Sequence, residues 1–168
     1  MELLQYIERG GVIVYILIAM NVIGFTIILW KSFVFFMAKR SLDQIAFTIL
    51  NNINRSSQHS LAQIESAISV KISSLESGLS TVKQIASISP LLGLLGTVVG
   101  ILNAFDSISH LGLGDPTVFS SGISIALITT VAGLIVAIPH YIGYNYFIRN
   151  LEKLEVSIEK EVLDKLAT

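Results

Sequence analysis

Hydrophobic and polar positions follow two periods along this chain, and the change from one to the other divides it. An apolar run from Val12 to about Trp30, continuing through Lys31 to Ala38, is relieved mainly by Asn21, Gly24 and Thr26. About 20 apolar residues of helix cross a bilayer core, so a first membrane span is predicted over 12–38. Trp30 and Lys31 suit headgroup level, where the ring is anchored and the lysine extends outward along its own stem. Lys39-Arg40 closes the segment as a topology determinant. Over 39–84 the pattern becomes amphipathic: Leu61, Ile64, Ile68, Ile72, Leu75, Leu79 and Val82 fall three and four apart, which predicts one long helix with a single apolar stripe. A shorter helix over 42–53 precedes it, with Asn51-Asn52 and residues 54–60 as the turn between them. Such a small hairpin does not bury both stripes by itself, and the near-heptad spacing points to packing against sister subunits.

The next stretch, Ile85 to Phe105, reads I-A-S-I-S-P-L-L-G-L-L-G-T-V-V-G-I-L-N-A-F. At helical spacing Ser89, Gly93, Gly96, Thr97, Gly100, Asn103 and Ala104 gather on one side, while Leu92, Leu95, Val98, Val99, Ile101 and Leu102 spread over the rest. A glycine-lined side lets another backbone approach closely, and a second span is predicted over 85–110. Residues 111–121, with Gly112, Gly114, Asp115-Pro116 and Ser120-Ser121, read as a short loop. A third span over 122–147 repeats the design: Gly122, Ala126, Thr129, Thr130, Gly133 and Ala137 form its small face. Pro139 is expected to kink it near its exit, where Tyr141, Tyr144, Tyr146 and Phe147 form an aromatic belt. Beyond Arg149, Leu151, Leu154, Ile158, Val162 and Leu166 stay in register, so residues 148–168 extend the third span as a charged helix. The fold class is all-α and integral to the membrane: three transmembrane helices with long helical extensions.

Composition agrees with the pattern. The chain has 168 residues, 52% of them hydrophobic and 14% charged, and a mean hydropathy of +0.73 excludes an ordinary soluble domain. Residues 1–11 are mildly acidic and precede a very long apolar run, unlike a cleaved secretory signal, and are read as mature sequence. Arg9 is the sole basic residue before the first span and 111–121 has none, whereas Lys39, Arg40, Arg55, Lys71 and Lys83 follow the first span and Arg149, Lys153, Lys160 and Lys165 the third. By the positive-inside rule residues 1–11 lie outside, and 39–84 and 148–168 are cytoplasmic. No cysteine is present and the net charge is −1, which offers neither a thiolate site nor a basic surface for nucleic acid. No nucleophile–base pair, metal cluster or phosphate loop stands out, so no enzyme activity, metal or cofactor is expected.

Chemistry is confined to a few groups. Asp106 and His110, four apart at the outer end of the second span, suit an interfacial cap or solvated pair; the spans otherwise hold no Asp or Glu. A proton path needs a titratable group near mid-membrane, so on this reading the chain lacks one of its own. It does offer hydroxyls on two small faces, Thr97 on one and Thr129 and Thr130 on the other. These can donate hydrogen bonds to a carboxylate brought by another protein, offsetting part of the roughly 2.5 to 3.5 kcal/mol that an ionised acid costs at a helix centre. The competing reading is that each threonine bonds its own backbone one turn back and the small residues serve packing alone.

L-L-G-L-L-G-T-V-V-G-I-L-N-A-F, together with A-L-I-T-T-V-A-G-L-I-V-A-I-P-H-Y-I-G-Y-N-Y-F, resembles the MotA/TolQ/ExbB proton-channel family, in particular its ExbB/TolQ branch. The resemblance covers about the carboxy-terminal half, and the amino-terminal half agrees in layout. It implies a bacterial inner-membrane protein forming a pentameric ring, whose second and third spans line a pore. That pore receives the single span of a dimeric ExbD/TolR-like partner with an essential Asp, and a TonB- or TolA-like protein carries the work to the outer membrane. Thr97 and Thr130 match the family's pore threonines, with Thr129 and Ser124 beside the same ion pathway. Pro90, Gly93, Gly96, Gly100 and Gly133 match packing positions, and Pro139, Tyr144 and Asn145 match the exit of the third span. One departure is informative: many ExbB and TolQ sequences place a Glu five residues before the second threonine, where this chain has Ile125. Two alternatives stand beside the motor subunit: a non-conducting scaffold for a partner, and a flagellar-stator-type channel subunit using H+ or Na+.

Overall fold

The computed structural model describes residues 2–53, 61–111 and 116–166, all of them helical apart from short turns. Five helices follow one another: α1 (Glu2–Arg40), α2 (Leu42–Ile53), α3 (Leu61–Glu76), α4 (Leu79–Leu111) and α5 (Pro116–Leu166). Three of them, over Leu4–Arg40, Leu79–Ser109 and Ser120–Lys165, are long and apolar enough to cross a membrane. With no water in hydrocarbon to satisfy backbone groups, a continuous helix is the form such sequences adopt. Contacts divide the chain into two compact units, residues 1–26 with 81–142 and residues 27–80 with 143–168; α1, α4 and α5 each contribute to both.

In the first unit α1, α4 and α5 pack side by side. α1 is helical from Glu2, well before Val12, and turns at Gly11, whose φ of 60° suits a residue without Cβ. Leu17 of α1, Ile85 of α4 and Val136 of α5 form a small buried cluster, flanked by Ile13, Met20, Leu92 and Ala132.

The second unit holds a larger core: Ala38, Ile45, Ala46, Ile49, Ile64, Ile68, Leu79, Phe147, Leu151, Leu154, Ile158 and Val162 are buried together. The stripes of α2 and α3, expected to need sister subunits, are thus covered by the end of the chain's own α5. The register Leu151, Leu154, Ile158 and Val162 supplies the missing face, and each buried aliphatic side chain contributes about 1.5 to 3 kcal/mol. Phe147, expected in an outward belt, is buried and meets Phe35 edge-on, with centroids 6.5 Å apart. Tyr141 and Tyr146 do face outward.

The predicted single helix over 61–82 is two helices. α3 ends at Glu76, Gly78 adopts a φ of 85°, and α4 restarts at Leu79. Lys31 explains how the break is held. Instead of extending outward it is buried, and its Nζ donates to the Leu75 carbonyl at 2.9 Å, satisfying one of the unpaired acceptors at the end of α3. Its stem also passes Gly78, where a Cβ would lie 3.6 Å from Lys31 Cε.

At the other end of the spans, Pro116 opens α5, where a missing N–H costs nothing. Of the loop expected over 111–121, Leu111 closes α4 and 116–121 is already helix, while residues 112–115 lie outside the described residues. α5 then runs without a break through Pro139. The turn over 54–60, Asp115 and the side chain of His110 lie outside the described residues; Asp106 itself is exposed.

Candidate functional site

The small faces of α4 and α5 meet each other, antiparallel, along five levels within the first unit. A Cβ built on Gly133 would lie 2.6 Å from the Ser89 carbonyl oxygen, and one on Gly93 would lie 2.9 Å from that of Thr129. A Cβ on Gly96 would collide with the Thr129 side chain; one on Gly100 would lie 2.8 Å from the Gly122 carbonyl oxygen, and one on Gly122 3.2 Å from Ala104 Cα. Backbones this close need residues without side chains at the crossing points. Ser89 sits fully buried in this seam and donates to its own Ile85 carbonyl at 2.6 Å.

The hydroxyls expected to share one pathway have different fates. Thr129 is fully buried under Gly96 and donates into its own helix, 3.1 Å from Ile125 O and 2.9 Å from Ala126 O. Its side chain therefore helps close the seam, with its hydroxyl taken up by its own backbone. Ser124 is half-buried but lies six positions, about 120° of helix turn, from Thr130, so it belongs to a different face. Asn103, counted on the small side of α4, is exposed.

Thr97 and Thr130 remain. Both are half-buried at the border of the seam. Thr130 Oγ1 is directed across to the Gly93 carbonyl at 3.5 Å, the outer limit of a hydrogen bond, and Thr97 Oγ1 donates to Leu94 O at 2.6 Å. Position on the helices shows that they share a flank. α1 packs on Ile85 and Leu92 of α4 and on Ala132 and Val136 of α5, with Gly10 opposite Ile128. Leu92 lies about 140° around α4 from Thr97, and Ala132 about 160° around α5 from Thr130. In an antiparallel pair both threonines then fall on the flank opposite α1. Leu94, Val98, Ile101 and Leu134 surround them, all exposed. The result is an apolar, uncovered surface with two hydroxyls along its centre. Pro90 is half-buried beside it.

Of the exit motif, Tyr144 packs against the core of the second unit, and Asn145 is half-buried; both take part in further interactions.

Attention to carboxylates alone misses one residue. His140, next to Pro139, is fully buried. Its Nδ1 lies 2.6 Å from the Val136 carbonyl, and since a carbonyl only accepts, Nδ1 carries the hydrogen. Phe25 meets the ring edge-on, 5.0 Å between centroids, and a Cβ on Gly24 would strike the ring at Nε2 and Cδ2. The signal was present in the sequence: an ionisable ring within the third apolar stretch, and a glycine within the first.

Comparison with known proteins follows the same lines. The sequence profile of the MotA/TolQ/ExbB proton channel family matches residues 37–160. A protein of Methanothermobacter thermautotrophicus, provisionally named a biopolymer transport protein ExbB homolog, is 29% identical over 175 residues, covering 85% of this chain and 62% of that one. The biopolymer transport protein ExbB of Aquifex aeolicus is 46% identical over 71 residues, 42% of this chain and 48% of its own. That of Pseudomonas putida is 35% identical over 89 residues, 53% of this chain and 27% of its own. The matches thus span between about a quarter and three fifths of these relatives' lengths.

Proposed function

Because the chain belongs to the MotA/TolQ/ExbB proton channel family, we propose that it is an ExbB-type subunit of an inner-membrane proton-driven motor. In this reading copies of the chain form a ring, pentameric as in the family, around the single span of an ExbD/TolR-like partner whose intramembrane Asp carries the proton. The ring couples the proton motive force to a TonB- or TolA-like protein serving outer-membrane transport or envelope maintenance. The observation that carries the reading is the uncovered flank of α4 and α5 with Thr97 and Thr130 at its centre. Their hydroxyls stabilise the partner's carboxylate when ionised. Once protonated, the acid loses its desolvation penalty and passes the surrounding leucines and isoleucines.

Ile125 holds no proton, so the essential carboxylate has to come from the partner. Thr130→Val tests the assignment: assembly with the partner persists, and energy-dependent uptake in cells falls to background. Uptake at the unmodified rate in that variant removes the role.

A second reading, the non-conducting scaffold, draws support from Thr97, whose hydroxyl is already satisfied by Leu94 O. It predicts that Thr97→Val and Thr130→Val are both silent while Gly100→Leu disrupts assembly. The same set of variants therefore separates the two.

A further inference from the structure

The first unit contains two buried acceptors that the threonine flank does not use. His140 Nε2 and Asn21 Oδ1 are both buried without a hydrogen-bond partner among the described groups. An unpaired buried acceptor costs about 1 to 3 kcal/mol, so two at one interface call for an explanation. They lie on the same side of α1: Gly24, on which Nε2 rests, is one turn beyond Asn21. With Nδ1 donating to Val136 O, the neutral ring presents a lone pair at Nε2, and Asn21 Oδ1 presents another. A single proton on Nε2 converts the ring into a donor.

A groove of about 460 Å³ between α1 and α5 extends from Tyr6 and Val14 past Leu127 and Val131 to Asn21 and Val136; it reaches Asn21, while the His140 ring is enclosed behind it. Gly24 and Phe25 on α1 lie against the ring and bring no charge, and Ile85 of α4 closes the same point at 3.1 Å from the Gly24 Cβ position. The ionisable residues nearest in sequence on each element are Lys31 on α1, whose Nζ is bound to Leu75 O, exposed Lys83 on α4, and Tyr141 and Tyr144 on α5.

We propose that His140 and Asn21 form a proton-binding site of this chain's own. His140 Nε2 takes a proton, and Nε2–H is then received by Asn21 Oδ1 through one bridging water. Such a water has the two or more polar partners that a buried water requires. No bond other than N–H is made, and loss of the proton restores the lone pair. It lies ten residues along α5 from Thr130, about 15 Å of helix rise, and does not depend on the role given to the threonines.

The test is magnetic resonance of histidine-labelled protein in lipid nanodiscs. His59→Gln and His110→Gln leave His140 as the remaining histidine. At the alkaline end of the pH range over which the labelled protein is stable, Nε2 gives the signal of an unprotonated ring nitrogen. Acidification converts it reversibly to N–H, with a cross-peak to a bound water. Asn21→Leu removes that cross-peak. An Nε2 that carries hydrogen at every pH, or one that stays unprotonated throughout the range, overturns the proposal without any substitution at the site. A cross-peak unchanged in Asn21→Leu overturns the pairing.

Discussion

At the scale of single residues, two adjacent threonines show how little residue type says without position. Thr129 and Thr130 share a chemistry and a helix, yet one step of about 100° puts Thr129 under Gly96 and Thr130 at the border of an open flank. The family resemblance and the small-residue pattern together pointed to both; which hydroxyl lies inside the seam depends on the partner helix, and a one-dimensional pattern does not hold that. Thr129→Val is expected to leave energised uptake intact, because the lost hydroxyl served only its own backbone. Stability should change by about 1 kcal/mol or less, measurable as a shift in thermal unfolding in detergent. Gly133→Ala is the opposite case. Its new Cβ would meet the Ser89 carbonyl oxygen at 2.6 Å, a backbone atom with no freedom to rotate away. A loss of about 1 to 3 kcal/mol from overpacking follows, with reduced assembly on size-exclusion chromatography as the readout.

At the scale of elements, the three apolar stretches and the helix over 42–53 were legible because long periodic runs leave few alternatives. The break after α3 was not, although Ser77-Gly78 marks it. The apolar stripe continues in register across Gly78, from Leu75 to Leu79 and Val82, so periodicity alone reads it as unbroken helix. What holds the break is a long-range bond from Lys31, 44 residues away, and local patterns do not contain such bonds. Two substitutions separate the contributions. Lys31→Met keeps an apolar stem and deletes the ammonium; it should leave the Leu75 carbonyl unpaired and raise hydrogen exchange across the end of α3 and the start of α4. Gly78→Ala imposes a side chain on a φ of 85° and should cost about 1 kcal/mol, seen as a lower unfolding temperature and faster proteolysis at the junction. Unchanged exchange in Lys31→Met would mean that the bond holds nothing in place.

At the scale of the whole molecule, the chain completes more of its packing than its pattern suggested, and the remainder is informative. The stripes of α2 and α3 find their cover on α5, so a sister subunit is not needed to bury them. The small faces of α4 and α5 are likewise consumed by each other. What stays uncovered is apolar surface along the three long helices, with hydroxyls on one flank of α4 and α5. Lipid satisfies the apolar part and has no use for the hydroxyls. Conduction also needs a continuous succession of proton-accepting groups, and His140 is a single, fully enclosed ring with no carboxylate among the residues packed on it. A binding site of that kind stores a proton without passing it across. The protein purified alone and reconstituted in liposomes should therefore leave an imposed pH gradient to decay at the rate of empty vesicles, followed by an entrapped pH-sensitive dye. Co-reconstitution with a single-span partner bearing an intramembrane Asp should accelerate the decay, and Thr130→Val should return it to the baseline. Rapid decay with this chain alone would mean that the flank of α4 and α5 needs no foreign acid, and the division of labour between ring and partner would have to be abandoned.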